Sequence, residues 1–479
     1  MMDRPLRSFL ASGTLLRHFV VYALPCLLCW SVYFLAYHPG MMSQDSLDQW
    51  RQVSTFDFDD WHPAFLSYLY WLLSRLWLSP GVVCVTQILA LAWVFAYGMV
   101  QLEKFGLPWW GLGLLTLFFC LFPLNGFYVN TLFKDVPFSI AFLLAFIYLL
   151  QIVESKGLWL NYKRNILAFA LTLGFICVIR HNGIMTVVTI AGTLLAGYWA
   201  LKRRTALLIV LVVSTVFLVK GPLYKAIQVQ GRFFGVEMLM THQIAAAINA
   251  GAALTQNEQR FLHTVLPQST WQQHYNPFEV DSLVFNGHFN YPFLMQEWAR
   301  REYRAVWFGI IRRNVPALLR HQAQVTDLVW NIGLQPGSYN YAVHPVIDTN
   351  EMGLQLQPVL PGLQSFLTRE IHNANRNYYY RTLLLRPATY LYLNILLLLL
   401  ISRYLRWKEV LLLALPILSL AFGVFLTIPA QHVRYLYPCF LLAPFLAGYW
   451  ISLLARTSDL QKALQLKQKE VKRSEVFTG

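Results

Sequence analysis

The chain has 479 residues, of which 57% are hydrophobic and only 13% charged, whereas a soluble domain carries about a quarter charged residues. That deficit excludes an ordinary soluble protein and leaves a polytopic membrane protein whose surface mostly faces lipid. The net charge of +15 is read as membrane orientation and lipid contact rather than as binding to nucleic acid.

In chain order, apolar stretches near or above the roughly 18-residue spanning length predict membrane helices. Ten spans are expected, at 17–37, 83–101, 109–124, 136–152, 165–179, 184–200, 205–220, 387–402, 408–428 and 435–455. The stretch 63–79 is rich in Tyr and Trp and carries Arg75 in mid-run, which predicts an amphipathic helix lying in the interface. The expected fold class is α-helical: a bundle of about ten transmembrane helices with an extracytoplasmic loop domain.

Four regions follow from this pattern. Residues 1–220 are an N-terminal membrane part with a first outer loop at 38–82. Residues 221–386, mixed in character and rich in Tyr, Trp, His and Arg, are too long for a linker and predict a folded extracytoplasmic domain. Residues 387–455 supply the last spans, and 456–479 a charged cytoplasmic tail with helix-like periodicity.

Orientation follows from basic residues in short loops. Arg4, Arg7 and Arg17 precede the first span, and "ESKGLWLNYKR", "LKRR", "SRYLRWKE" and the tail fall on the same side. That side is therefore cytoplasmic. Counting 63–79 as a span would invert everything downstream. Cys26 and Cys29 in "CLLC" have redox spacing but sit inside an apolar helix, where packing is the expected role.

Several charged or titratable residues gather at helix ends on the opposite, outer side: Asp45, His62, Lys134 and Asp135 of "KDVPF", Arg180 and His181 of "RHNG", and His432, Arg434 and Tyr435 of "QHVRYLYP". Each alone has a structural reading. Asp45 could cap the helix after it. Asp57, Asp59 and Asp60 of "FDFDDW" read as solvated loop acids. Lys134 and Asp135 could anchor a helix end, where a negative charge at the N-terminus is favoured. Arg180 and Arg434 could snorkel to head groups. Their gathering on one face is what points to function.

Carboxylates with several fixed cations at a membrane surface suit transfer of a sugar from a polyprenyl-phosphate carrier. A carboxylate serves as base toward the acceptor hydroxyl. The departing phosphate is already a weak base, so it needs cations and no acid, unlike the leaving oxygen in glycoside hydrolysis.

These motifs also resemble a known family. An Asp in the first outer loop, "HP" opening a helix, "KDVPF" at the start of a later span and a late "RYLYP" are similar to the GT-C superfamily of membrane glycosyltransferases. The resemblance is closest to its protein-mannosyltransferase and aminoarabinose-transferase-like bacterial branch. It covers about 17–220 and 387–455.

The resemblance implies Asp45 as catalytic base and Asp135 as a second catalytic acid that orients acceptor or base. It implies Lys134, Arg180 and Arg434 as ligands of the donor phosphate, and His62, His181, His432 and Tyr435 as residues lining the site. Ser46 follows Asp45 where several members carry a "DE" pair. It further implies a bacterial inner (cytoplasmic) membrane protein with its site on the periplasmic face. Its partners would be a polyprenyl-phosphate sugar donor, membrane lipids, and a glycan, lipid or protein acceptor such as lipopolysaccharide.

The sequence establishes no cofactor, and no His or Cys cluster has metal-ligand spacing; the two acids could hold a hard divalent cation. A second reading, a lipid-linked oligosaccharide polymerase or ligase, leans on His288 in "FNGHFN" and on the Arg-rich run 300–313. A transporter would need mid-span charges and broken helices, which are scarce here.

Overall fold

The computed structural model describes residues 12–231, 235–333, 335, 338 and 342–476, and among these it contains helices and isolated bridges but no strand. Arg4 and Arg7 lie outside the described residues. The long helices are α1 (Ser12–Ala36), α2 (Gln44–Thr55), α3 (Ala64–Ser74), α4 (Gly81–Lys104), α5 (Trp109–Leu121) and α6 (Pro123–Tyr128). They continue with α7 (Asp135–Glu154), α8 (Lys163–Ile179), α9 (Gly183–Gly197) and α10 (Lys202–Leu218). A polar segment then carries α11 (Gly235–Asn249), α12 (Gln256–Val265), α13 (Gln268–Gln273), α14 (Glu297–Arg313), α15 (Val315–Val325) and α16 (Pro361–Arg376). The chain closes with α17 (Pro387–Ile401), α18 (Trp407–Thr427) and α19 (Tyr437–Val476).

All ten apolar stretches expected from the sequence are helical, but they differ in reach. Six helices among the described residues are long and apolar enough to cross a membrane: Leu16–Ala36, Gly81–Lys104, Asp135–Glu154, Trp199–Ala226, Trp407–Thr427 and Val433–Ser458. A seventh is completed if Tyr378–Leu385 and α17, bent by 52°, form one span. The other three are short: α5 has 13 residues, α9 15 and α8 17. At about 1.5 Å per residue each falls short of a roughly 30 Å hydrocarbon core. The segment at 63–79 is an 11-residue helix, α3, that buries Leu66, Ser67 and Tyr70.

Helix α7 shows why the bundle closes where it does. Its sequence is apolar on every face, which suits a helix surrounded by protein rather than one with a solvent side. Pro137 stands in its first turn, where a missing N–H costs nothing. It packs against α4, α8, α18 and α19. By contrast α1 leaves Leu16, Val20, Val21, Leu24 and Leu28 exposed, and α10 exposes Val210, Val213 and Phe217. Those rows form the apolar outer surface of the bundle.

Close approach depends on small residues. A Cβ on Gly98 of α4 would lie 2.3 Å from Phe445 of α19 and 2.8 Å from Ile147 of α7. The six cysteines are all free thiols; Cys29 donates to the Cys120 carbonyl at 3.1 Å, a packing role within the bundle.

Residues within 221–386 pack in two ways. Met238, Ile244, Leu262, Trp271, Leu294, Tyr303 and Ile310 gather in a second core outside the bundle. Val325, Leu328, Val329, Val343, Ile371 and Leu385 instead join the main core. Salt links fix the outer helices: Arg304 to Glu237 at 2.9 Å and Arg313 to Glu258 at 2.7 Å.

Short bridged segments tie this layer to one end of the bundle. Met42 pairs with the 346–348 segment, Met41 with Asn130 and Leu132, and Val280 with Pro429. That end is where α7, α9 and α19 begin and α8 and α18 stop.

Candidate functional site

Four chain turns meet at this end and each delivers one or two charged groups. The turn after α8 presents Arg180 and His181. It is tight: a Cβ on Gly183 would lie 2.3 Å from the Ile176 carbonyl, so glycine is needed for α9 to start there. A short 3₁₀ turn, Val433–Leu436, presents Arg434 and Tyr435 before α19 begins. The start of α7 brings Lys134, just before the helix, and Asp135, its first residue, and the first turn of α2 brings Asp45. His62 lies just ahead of α3.

The geometry is a linked set of ion pairs. Arg434 Nη2 donates to Asp45 Oδ2 at 2.7 Å, and its Nε lies 3.4 Å from Asp135 Oδ2. Arg180 Nη1 lies 3.3 Å from Asp135 Oδ1 and donates to the Tyr435 carbonyl at 3.2 Å. The Tyr435 ring is shared between the two guanidiniums, at 5.2 Å from Arg180 and 5.4 Å from Arg434. Such contacts hold an arginine without neutralising it. Lys134 Nζ donates to His62 Nδ1 at 2.8 Å, and His62 Nε2 faces Asp45 Oδ1 at 3.7 Å.

These groups border a cleft of about 460 Å³. Asp45, His62, Lys134, Arg180, His181, His432, Arg434 and Tyr435 all line it. Apolar residues from α9 and α18, among them Ile184, Met185, Val424 and Ile428, form one flank, and Val236, Leu239 and Phe285 cover it from the outer layer.

Asp135 does not line the cleft. It is fully buried behind the two arginines, so it reaches the site only through them. The sequence placed Lys134 and Asp135 side by side as a pair; the structure sends them in different directions, one to His62 and one to the guanidiniums.

Burial would raise the Asp45 carboxyl, but the Arg434 guanidinium, with His62 and Lys134 beside it, outweighs that and holds it well below the usual carboxylate range. Asp45 is therefore ionised, and its side chain keeps 39% of its surface open. Burial pushes His62 down to about 4, helped by Lys134 and opposed by Asp45. His181 is pushed to about 4 and His432 to about 3, in both cases chiefly by burial. The imidazoles are neutral at pH 7. Burial also lowers Lys134, with Asp45 and Asp135 pulling the other way.

Two sequence expectations need correction. Asp59 and Asp60 are not solvated loop acids. Asp59 is buried and accepts from the Trp61 N–H at 3.1 Å, and Asp60 accepts from the Ala64 N–H and the Tyr224 hydroxyl, each at 3.1 Å. They shape the turn that positions His62. Nor does Asp45 cap its own helix; its carboxylate turns to Arg434 instead.

The structure also adds Trp61, Asp281 and Phe285 to the cleft wall. Asp281 is an ordinary acid in a polar turn, and no pattern in the sequence marks it. The pairing of residues 278–280 with 429–431 brings it there. His288 is exposed and outside the cleft, and Arg304 and Arg313 are engaged with Glu237 and Glu258. Among the described residues no group of three or more His, Cys, Asp or Glu is placed to hold a metal ion. No protein-family model, curated protein or solved structure matches this chain.

Proposed function

We propose that the protein is a glycosyltransferase of the GT-C type that moves a sugar from a polyprenyl-phosphate donor to an extracytoplasmic acceptor. The observation that carries this reading is the Asp45–Arg434 pair at the wall of a cleft that also holds Lys134 and Arg180. One ionised carboxylate stands beside three fixed cations, with an apolar flank for a lipid-borne ligand.

In this reading the donor phosphate lies against Lys134, Arg180 and Arg434. The acceptor hydroxyl loses its proton to Asp45 as its oxygen bonds the anomeric carbon. The bond from that carbon to the phosphate oxygen breaks, and the polyprenyl phosphate departs with the electron pair. Attack from the face opposite the phosphate inverts the centre. A carboxylate held as low as Asp45 is a weak base. A phosphate that draws hydrogen bonds from Arg434 relieves that hold, so donor binding itself raises the basicity of Asp45. His62, neutral and fixed by Lys134, keeps the carboxylate oriented.

Ten spans with both termini in the cytoplasm, and a cleft on the outer face of a bacterial inner membrane, belong to the same reading. The basic short loops support it.

The test uses detergent-solubilised protein and polyprenyl-phosphate-linked sugars extracted from membranes of the source cells, with release of polyprenyl phosphate as the readout. Asp45→Asn should lower turnover by roughly a hundred- to ten-thousand-fold, the typical contribution of a general base, while the protein stays folded. Wild-type turnover in well-folded Asp45→Asn would remove the reading.

A further inference from the structure

Behind Asp45 lies a second cavity of about 290 Å³. Asp45, Asp281 and Arg434 line both cavities, whereas Gln44, His344 and Asp348 line only the second. Lys134 and Arg180 line only the first. The Asp45–Arg434 pair is thus a wall between two spaces of different character.

The first space has three cations and an apolar flank. The second has proportionally more polar wall, although Tyr128, Phe133, Ala342 and Val433 also line it, and its carboxylates outnumber its one guanidinium. His344 is paired with Asp348 at 2.6 Å. The segment that carries them is clamped to the start of α2: the Met42 N–H donates to Val346 at 3.0 Å, and Gln44 Nε2 donates to the Thr349 carbonyl at 3.2 Å. The second cavity is therefore built by the same segment that places Asp45.

We propose that this second cavity is the acceptor subsite and that it takes an uncharged, hydroxyl-rich sugar unit rather than a phosphorylated one. This deepens the glycosyltransferase reading and rests on it. A base must touch both reactants' meeting point, and Asp45 is reached from both sides. Carboxylates and imidazole accept and donate to sugar hydroxyls, while an added phosphate would face Asp45, Asp281 and Asp348 with no Lys134 or Arg180 to offset them. Outer-layer residues Asp281, His344 and Asp348 thus select the acceptor, and bundle residues hold the donor.

The experiment places one added thiol at a time, Q44C in the second cavity or I184C in the first, in the full-length detergent-solubilised chain, and follows its maleimide labelling on the peptide that carries it, apart from the six native thiols. The probes are undecaprenyl phosphate and free oligosaccharides released by mild acid from the envelope glycans of the source cells. At ten times its dissociation constant a ligand should slow labelling about tenfold. Undecaprenyl phosphate should protect I184C alone, and the oligosaccharides Q44C alone. Adding D348N, at a residue that lines only the second cavity, should abolish the oligosaccharide effect but keep the lipid-phosphate effect, which also shows that the variant is folded. Protection of Q44C by undecaprenyl phosphate, or unchanged Q44C labelling with the oligosaccharides, overturns the acceptor subsite while I184C protection leaves the donor reading standing. Failure of undecaprenyl phosphate to protect I184C instead defeats the donor reading itself.

Discussion

Arg434 and Asp45 stand 389 positions apart in the chain and are joined by a 2.7 Å hydrogen bond. Arg434 lies in the 3₁₀ turn that leads into α19, and Asp45 lies in the first turn of α2. Their pairing ties the first turn of α2 to the entry of α19 and so fixes the wall of the cleft. The same guanidinium faces Asp135 through Nε, so a single side chain serves an open carboxylate and a buried one at once.

That double duty makes Arg434 irreplaceable by lysine. A single ammonium cannot present two separate edges to two carboxylates. Arg434→Met leaves Asp135 with only Arg180, and removing one partner of a buried pair costs roughly 3–5 kcal/mol. Arg434→Lys should regain part of that stability in a thermal melt but raise the donor KM more than the acceptor KM. A wild-type donor KM in Arg434→Lys would assign the phosphate elsewhere.

His62 sets a pH dependence. Lys134 donates to its Nδ1, which leaves the proton on Nε2, toward Asp45. With its pKa pushed to about 4 and an unfolded value near 6.5, the unfolded chain takes up a proton first as pH falls. The stability from neutral His62 is therefore complete above about 6.5 and lost toward 4. Turnover should be flat above neutrality and decline on the acid side. His62→Gln keeps an acceptor for Lys134 that does not titrate, so the acid limb of its pH–rate profile should become shallower. An identical limb in His62→Gln would mean that another group controls it.

The site was legible where charge interrupts apolar sequence. Asp45, His62, Lys134, Arg180 and Arg434 stand out because lipid-facing helices rarely end in such groups, and the structure lines them along one cleft. Hydrophobic runs likewise marked all ten helices, and the runs behind α5, α8 and α9 are already shorter than a spanning length of about 18 residues in the sequence itself. Three things were hidden. Asp281, His344 and Asp348 look like any polar loop residues, and only long-range pairing places them. Asp59 and Asp60 look solvated because the distant groups that cover them, Gln230 bridged to Asp59 and Tyr224 bonded to Asp60, lie far along the chain. The divergence of Lys134 and Asp135 depends on side-chain direction at a helix start, which sequence spacing does not encode.

The outer layer carries its own acid sensitivity. His242 and His321 are both buried, with ring centroids 4.2 Å apart, and His242 Nε2 lies 2.7 Å from the Asn276 carbonyl. Burial pushes His242 down to about 4, with Asn276 and Glu279 opposing it, and burial with His242 beside it lowers His321 further. Both are neutral when folded and charge near 6.5 when unfolded, so this layer loses stability as pH falls from 6.5 toward 4. Limited proteolysis should release fragments from 235–325 faster at pH 5 than at pH 7.5, and H242Q should narrow the difference. Equal rates at the two pH values would show that the pair is not what holds this layer.

Asp135 offers the sharpest contrast between sequence and structure. Read from its neighbours in the chain, it is an acid beside Lys134 that orients the acceptor. In the structure it is fully buried, with Arg180 3.3 Å from one oxygen and Arg434 3.4 Å from the other. Its charge holds two like-charged guanidiniums together at the cleft wall, a short separation that would otherwise be unfavourable. Asp135→Asn is nearly isosteric but removes that charge. The two arginines should then move apart and lose the shared grip proposed for them on the donor phosphate. The expected outcome is a raised donor KM and a lowered melting temperature, with the acceptor KM little changed. Asp135→Glu keeps the charge but lengthens the side chain in a buried space, so it should restore donor affinity only in part. An acceptor KM that rises while the donor KM holds would return Asp135 to the acceptor side and refute its role as the anchor of Arg180 and Arg434.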